Sequence, residues 1–239
     1  PHNPEWSRAY LSKAGYLADK LSIHFYQTNE MDKNYRQVTD EMRSRVLEDF
    51  FIPELHRAKK LAEEIGCSHI PFSLDEWGYS WGEMGSPESM LVDSLLMAFL
   101  ENHAKEWNIE KALYFHPINE GMILVNAHKA EWDYFGIAFQ MFSALRGKEK
   151  LDITGQDLFY AVAGKIDQNR IGAILVAHNL QDDCTVRFES DLFSQSSAIR
   201  LFQIVPNRER YCISKTESSV GETFTIHAGA VAFAEIITE

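Results

Sequence analysis

The feature that most constrains this chain is a change of texture near residue 150. Before it, strand-length apolar runs alternate with helical patterns three times. Lys20–Tyr26 precedes a helical region from about Asp40 to Ile65, and Ile70–Leu74 precedes a helix opened by Ser86-Pro87-Glu88. The run "KALYFHPI", from Lys111, precedes a helix from about Asp133 to Leu145. Parallel neighbours need a crossover, which is right-handed, so this alternation predicts a parallel sheet. After residue 150 the helical patterns stop. "DLFYAVAGKI", "RIGAILVAHNL", "CTVRFES", "IRLFQIVP", "RYCISKT" and "TFTIHAGAVAFAEI" follow at short intervals, rich in Val, Ile, Phe and Thr. They predict an antiparallel β-sandwich of about six strands. The expected organisation is α/β over residues 1–150 and all-β over residues 151–239.

Local signals sharpen this outline. Asn3-Pro4-Glu5 opens a helix with a capping side chain, a first-turn proline and an acid near the positive end of the dipole. Trp6, Ala9, Tyr10, Ala14 and Leu17 then share one helical face. Pro53 is expected to break or kink the second helical region, and Gly66 to stop it. Leu91, Leu95, Ala98 and Phe99 form the stripe of the next helix, and Gly147 ends the last one. Three strand–helix units in ~150 residues leave two architectures: a small doubly wound domain, or the tail end of an eight-fold barrel, which takes ~250 residues. A chain that starts in a helix rather than a strand favours the second.

Composition narrows the partners. The net charge of −12 over 239 residues and a pI of 5.2 argue against a nucleic-acid phosphate backbone, which needs a basic face. No apolar stretch approaches the roughly 18–20 residues of a membrane span. Cys67, Cys184 and Cys212 form neither a metal-spacing motif nor a disulfide framework, and are expected to be small core residues. The opening "PHNPEWSRAY" carries neither a starting Met nor a signal peptide, so it assigns no compartment.

In parallel α/β folds functional groups collect at the carboxyl ends of strands. On the first strand Leu21, Ile23 and Phe25 share one face, while Ser22, His24 and Tyr26 share the other. A buried parallel strand usually reads apolar on both faces, so three polar groups on one side need partners. The second strand runs through "PFSLDEWGYSWGE". Strict alternation turns Phe72, Leu74 and Glu76 one way and Asp75 the other, so one acid faces the site. Glu76, last on the strand, is the candidate nucleophile or base, with a neighbouring tyrosine hydroxyl to hold its charged form. Trp77, Tyr79 and Trp81 either stack on the C–H face of a sugar or pack the loop. The third strand ends in "FHPINEGMI", where His116, Asn119 and Glu120 reach the same rim.

Two other readings stand beside a sugar site. His24, His116, Glu76 and Glu120 could bind a divalent metal, although no strand offers paired-ligand spacing, and neither metal nor cofactor is expected. The sandwich could instead carry the function as a non-catalytic carbohydrate-binding or structural module. Phe188, Phe193, Phe202 and Tyr211, however, read as core.

Together "LSIHFYQ", "PFSLDEWG" and "YFHPINEGMI" resemble strands six, seven and eight of the retaining (β/α)8-barrel glycosidases. The α-L-arabinofuranosidases are the best match, with β-xylosidase-like relatives second. The resemblance implies an incomplete (β/α)8 (TIM) barrel, its last three units, followed by the sandwich. It implies a carbohydrate substrate, with Glu76 as nucleophile, Tyr26 as its hydrogen-bonding tyrosine and His24 lining the sugar subsite. Trp77 follows the nucleophile as in the family, while Trp81 sits one position from where the second tryptophan falls. His116 stands where those enzymes tend to have Gln, and Asn119 and Glu120 shape the last loop or touch substrate. Retaining hydrolysis needs two carboxyl groups ~5–5.5 Å apart. The family's acid/base Glu lies on strand four, and nothing upstream of His24 matches it. The chain is therefore expected to lack its general acid, to be inactive alone, and to associate through the open barrel edge or with a missing N-terminal segment.

Overall fold

A computed structural model of the chain describes residues 4–26, 39–79, 87–115, 132, 134–154, 159–194, 197–207 and 210–238. Helix α1 (Pro4–Ala14) and a short 3-10 turn (Gly15–Leu17) lead into strand β1 (Leu21–Tyr26). The crossover from β1 to β2 (Phe72–Gly78) contains α2 (Asp40–Ser44), a π-helical turn (Leu47–Phe51) and α3 (Ile52–Glu64). Pro53 sits in the first turn of α3, where a missing N–H is tolerated, and the π turn lies immediately before it. Gly66 (φ 75°) ends this crossover in the left-handed region that a glycine enters without strain. Helix α4 (Pro87–His103) leads to β3 (Ile109–Tyr114), and α5 (Tyr134–Leu145) follows. β1, β2 and β3 form a parallel three-stranded sheet in that order.

The second half is antiparallel. Strands β4 (Glu149–Leu151), β5 (Phe159–Asp167), β6 (Arg170–Ala177), β8 (Ala198–Asn207), β9 (Arg210–Ser219) and β11 (Val231–Ile237) make one six-stranded sheet, ordered β4-β5-β6-β11-β8-β9. β7 (Cys184–Arg187) and β10 (Thr223–Ile226) pair as a two-stranded sheet. The last predicted run is thus two strands, divided by a turn with Gly229 at φ 66°. Phe224, Ile226 and Val186 pack on Ala161, Leu175, Ile199 and Ala232 of the larger sheet, closing one apolar core between the two sheets.

A second core joins the halves. Leu91, Leu95, Ala98 and Phe99 are buried on α4, as are Met90, Val92 and Leu96 around its circumference. Ser89, Asp93 and Ser94 on the same helix are buried too, Asp93 accepting a hydrogen bond from the Tyr114 hydroxyl at 3.0 Å, so the helix is covered on nearly every side. α4 packs with Phe25, Phe51 and Leu74 on one side and with β5 and β6 on the other. Phe51 meets Phe25 edge-on at 4.8 Å and Phe99 at 5.4 Å. Val162, Ile174, Val176, Ile204 and Val231 of the antiparallel sheet belong to the same core. Across this seam the Asn102 side-chain amide donates to the Ala161 carbonyl (2.9 Å), and the Tyr160 hydroxyl donates to Glu48.

One expectation needs correction, and one helical face lies open to solvent. The apolar face of α1 is not buried: Trp6 is 77% exposed and Tyr10 66%, with Leu17 beyond them at 70%. The cysteines are not uniformly core, since Cys67 is buried, Cys184 half-buried and Cys212 exposed. Cys212 lies on β9, which among the described residues pairs on one side only. Among the described residues no helix is long and apolar enough to cross a membrane.

Candidate active site

The helices cover one face of the parallel sheet, and the polar residues line the other. Leu21, Ile23 and Phe25 point into the helical core, so Ser22, His24 and Tyr26 face away from it, as alternation requires. β2 departs from simple alternation. Its register with β1 pairs Ile23 with Leu74 and then His24 with Glu76, passing over Asp75. Its register with β3 pairs Leu74 with Ala112 and then Trp77 with Tyr114, three residues against two. Between Leu74 and Trp77 β2 therefore carries one extra residue relative to both neighbours, which is a β-bulge, while nearer its start the surplus lies on β3, Phe72 pairing with Ile109 and Ser73 with Lys111.

The bulge corrects two expectations. Both acids face the site, because the unpaired residue lets Asp75 and Glu76 point the same way. Trp77 is thereby turned into the core, where it is 2% exposed and meets Tyr114 (5.0 Å) and Phe135 (6.4 Å) edge-on. It is packing and is not placed to stack on a sugar. Tyr79, also buried, accepts a hydrogen bond from Nε of Arg43 at 3.0 Å.

The Tyr26 hydroxyl donates to Oε2 of Glu76 at 2.8 Å, and Nδ1 of His24 lies 3.4 Å from the same oxygen. Burial pushes the Tyr26 phenol well above its ordinary range, and its bond to the Glu76 carboxylate adds to that shift. It is therefore a hydrogen-bond donor to Glu76 throughout the neutral range. Phe115, just past β3, packs edge-on against the Tyr26 ring at 5.8 Å. Hydrogen bonds from Ser73 and then Ser22 hold the Asp75 carboxyl below the usual range, helped by the charges of Lys111 and His24. Sequence reasoning singled out neither Asp75 nor Lys111 as site residues. Their one signal was the three-residue spacing of Leu74 and Trp77, two large apolar side chains that cannot share a face in an unbulged strand.

Trp81, His116, Asn119 and Glu120 lie outside the described residues. The structure thus brings together His24, Tyr26 and Glu76, adds Asp75, and removes Trp77 from the group. Among the described residues no three His, Cys, Asp or Glu side chains converge as a metal site requires.

Tyr26 and Tyr160 give the structure an alkaline signature. Burial, with a carboxylate bond to Glu76 and Glu48 respectively, raises both phenols in the folded state. Their contribution to stability is fully present below the ordinary tyrosine pKa of about 10 and is lost as pH rises toward the folded values. The urea midpoint is expected to fall above that pH, and less so in the Tyr26→Phe/Tyr160→Phe double variant. Equal slopes for the two proteins would remove both phenols from the account.

No protein-family model matches the sequence, and no curated protein matches it. Solved structures do. One titled as an arabinofuranosidase superposes with a TM-score of 0.70 at 15% identity, over 98% of this chain and 56% of that one. The chain shares the fold of just over half of an arabinofuranosidase. A family 51 α-L-arabinofuranosidase from Bifidobacterium longum gives 0.68 at 15% identity, over 99% of this chain and 56% of the other. A monomeric β-xylosidase from Caulobacter crescentus CB15 gives 0.64 at 14%, over 98% and 59%. This arabinofuranosidase-like chain spans somewhat more than half the length of the structures it matches. At such identities the likeness is one of fold.

Proposed function

We propose that the chain carries the nucleophile half of a retaining glycosidase site of the arabinofuranosidase type. In this reading β1, β2 and β3 are the last three strands of a (β/α)8 barrel, residues 1–150, and residues 151–239 are its β-sandwich domain. Glu76 attacks the anomeric carbon, forming a glycosyl ester and expelling the leaving group. Tyr26 holds the attacking carboxylate in place, and His24 lines the sugar pocket. The proton for the leaving oxygen comes from a carboxylic acid outside this sequence, within the part of the matched structures that the chain does not span. Trp81, His116, Asn119 and Glu120 are proposed as substrate contacts at the same rim. An associating N-terminal segment would cover the exposed α1 face and the edge of the parallel sheet at β1, which among the described residues pairs only with β2.

The observation that carries this reading is the 2.8 Å hydrogen bond from Tyr26 to Glu76 at the carboxyl end of adjacent parallel strands. A carboxylate fixed by a neutral donor is oriented without being protonated, as a nucleophile must be. The test is covalent capture. A 2-deoxy-2-fluoro-arabinofuranoside with a dinitrophenolate leaving group needs no acid to depart, so the chain alone should form a stable ester. Peptide mass spectrometry is expected to place the sugar on Glu76. A label on another residue, or none with the folded chain, would count against the proposal. Turnover of unactivated aryl glycosides by the isolated chain, abolished by Glu76→Gln, would show that the acid lies within it.

A further inference from the structure

Glu76 needs no extra residue to reach the site face. In a strand reading Leu74, Glu76, Trp77, plain alternation would already turn the two apolar side chains to the helices and the acid away from them. Asp75 is the surplus residue, and it is gripped from two strands. Ser73, two residues back on β2, donates to its carboxylate, and Ser22 on β1 does so as well. Lys111 on β3 and His24 on β1 act on it through their charge. The one residue that neither neighbouring ladder pairs is thus the one tied by side chains.

Where the surplus sits decides what the site contains. If the unpaired position moved past Glu76, that carboxylate would turn toward the helices, away from Tyr26. Trp77 would then come out onto the open face, because each single-residue slip exchanges the two faces. We propose that Asp75 is a positioning residue: its carboxylate, held by Ser22 and Ser73, pins the bulge where Glu76 meets Tyr26 and Trp77 enters the core. Its catalytic meaning rests on the reading of Glu76 as nucleophile. Its structural meaning rests on the register alone.

The test uses two signals that need no sugar: hydrogen exchange at the Trp77 indole, and the pH midpoint of the Tyr26 13Cζ resonance. Asp75→Ala keeps the length of β2 but removes the tether. It is expected to speed indole exchange by roughly tenfold or more, as the loss of hydrogen bonds to a charged group implies, and to lower the Tyr26 midpoint. Deleting Asp75 should leave both signals near wild type, since the shortened strand alternates correctly without a bulge. Should Asp75→Ala not fold, the Ser22→Ala/Ser73→Ala double variant loosens the same tether from the other side and is read in the same way. Wild-type signals in the length-preserving variants would overturn the proposal, because Leu74 and Trp77 alone would then be fixing the register. So would a deletion that disturbs both signals as strongly as Asp75→Ala. If the variants behave as expected but Glu76 takes no glycosyl label, the bulge lock stands and its catalytic meaning falls.

Discussion

Glu76→Gln is expected to slow covalent capture of the fluoro-arabinofuranoside by on the order of 10^4-fold or more, below the limit of intact-mass detection. An amide oxygen is a far weaker nucleophile than a carboxylate, and the Gln side chain fits the same space. Tyr26 would lose its charged acceptor but keep a neutral one, so the strand ends should hold their places. Tyr26→Phe should be milder, slowing capture by roughly 10–100-fold. It removes one hydrogen bond to a charged group, worth about 1.5–3 kcal/mol, and leaves His24 beside the same oxygen. The order of the two effects is the informative part. A nucleophile that tolerates Gln is not a nucleophile, whereas a positioning hydroxyl can be lost at a graded cost. Equal effects of the two substitutions would say that the fold had failed around the site rather than the chemistry within it.

The second large effect is on stability. Trp77→Ala should cost about 3–5 kcal/mol, read as a fall in the urea midpoint at unchanged slope. The side chain is 2% exposed, wedged between Tyr114 and Phe135, and its removal opens a cavity between β2 and α5. Its indole N–H has no hydrogen-bond partner among the described residues, so the contribution of the residue is apolar contact. Trp77→Phe should therefore cost clearly less, because it keeps a ring in the gap and removes the unpaired donor. A sugar-stacking residue would behave in the opposite way, losing ligand with little change in stability. A change of under about 0.5 kcal/mol for Trp77→Ala would return the ring to the site, since that is the range of surface substitutions.

The fold was legible where one physical signal dominated. Pro53 fell where the π turn gives way to α3 and Gly66 just past the end of that helix, and the apolar runs beyond residue 150 became strands. Strand alternation put His24 and Tyr26 on the correct face of β1. The same rule failed on β2, because alternation assumes one residue per ladder position and β2 has a surplus. Trp77 was drawn into the sugar site by its neighbour Glu76 and by its odd spacing from Leu74, which sets the two on opposite faces until the bulge turns Trp77 into the core. The exposed face of α1 was not foreseeable from its own sequence. An apolar stripe says that a partner is needed, and only the fold says whether this chain contains it. The short strand β4 was missed, since three residues of Glu, Lys and Leu carry no pattern.

Helix α4 has one more consequence. Because it is buried on nearly every side, the parallel and antiparallel sheets share one core across it. Each lends α4 one wall, and either wall removed would leave a row of Leu, Met and Phe facing water. The two halves are thus expected to unfold together in one cooperative transition. A cut near residue 150 would not yield two products with the stability of the whole.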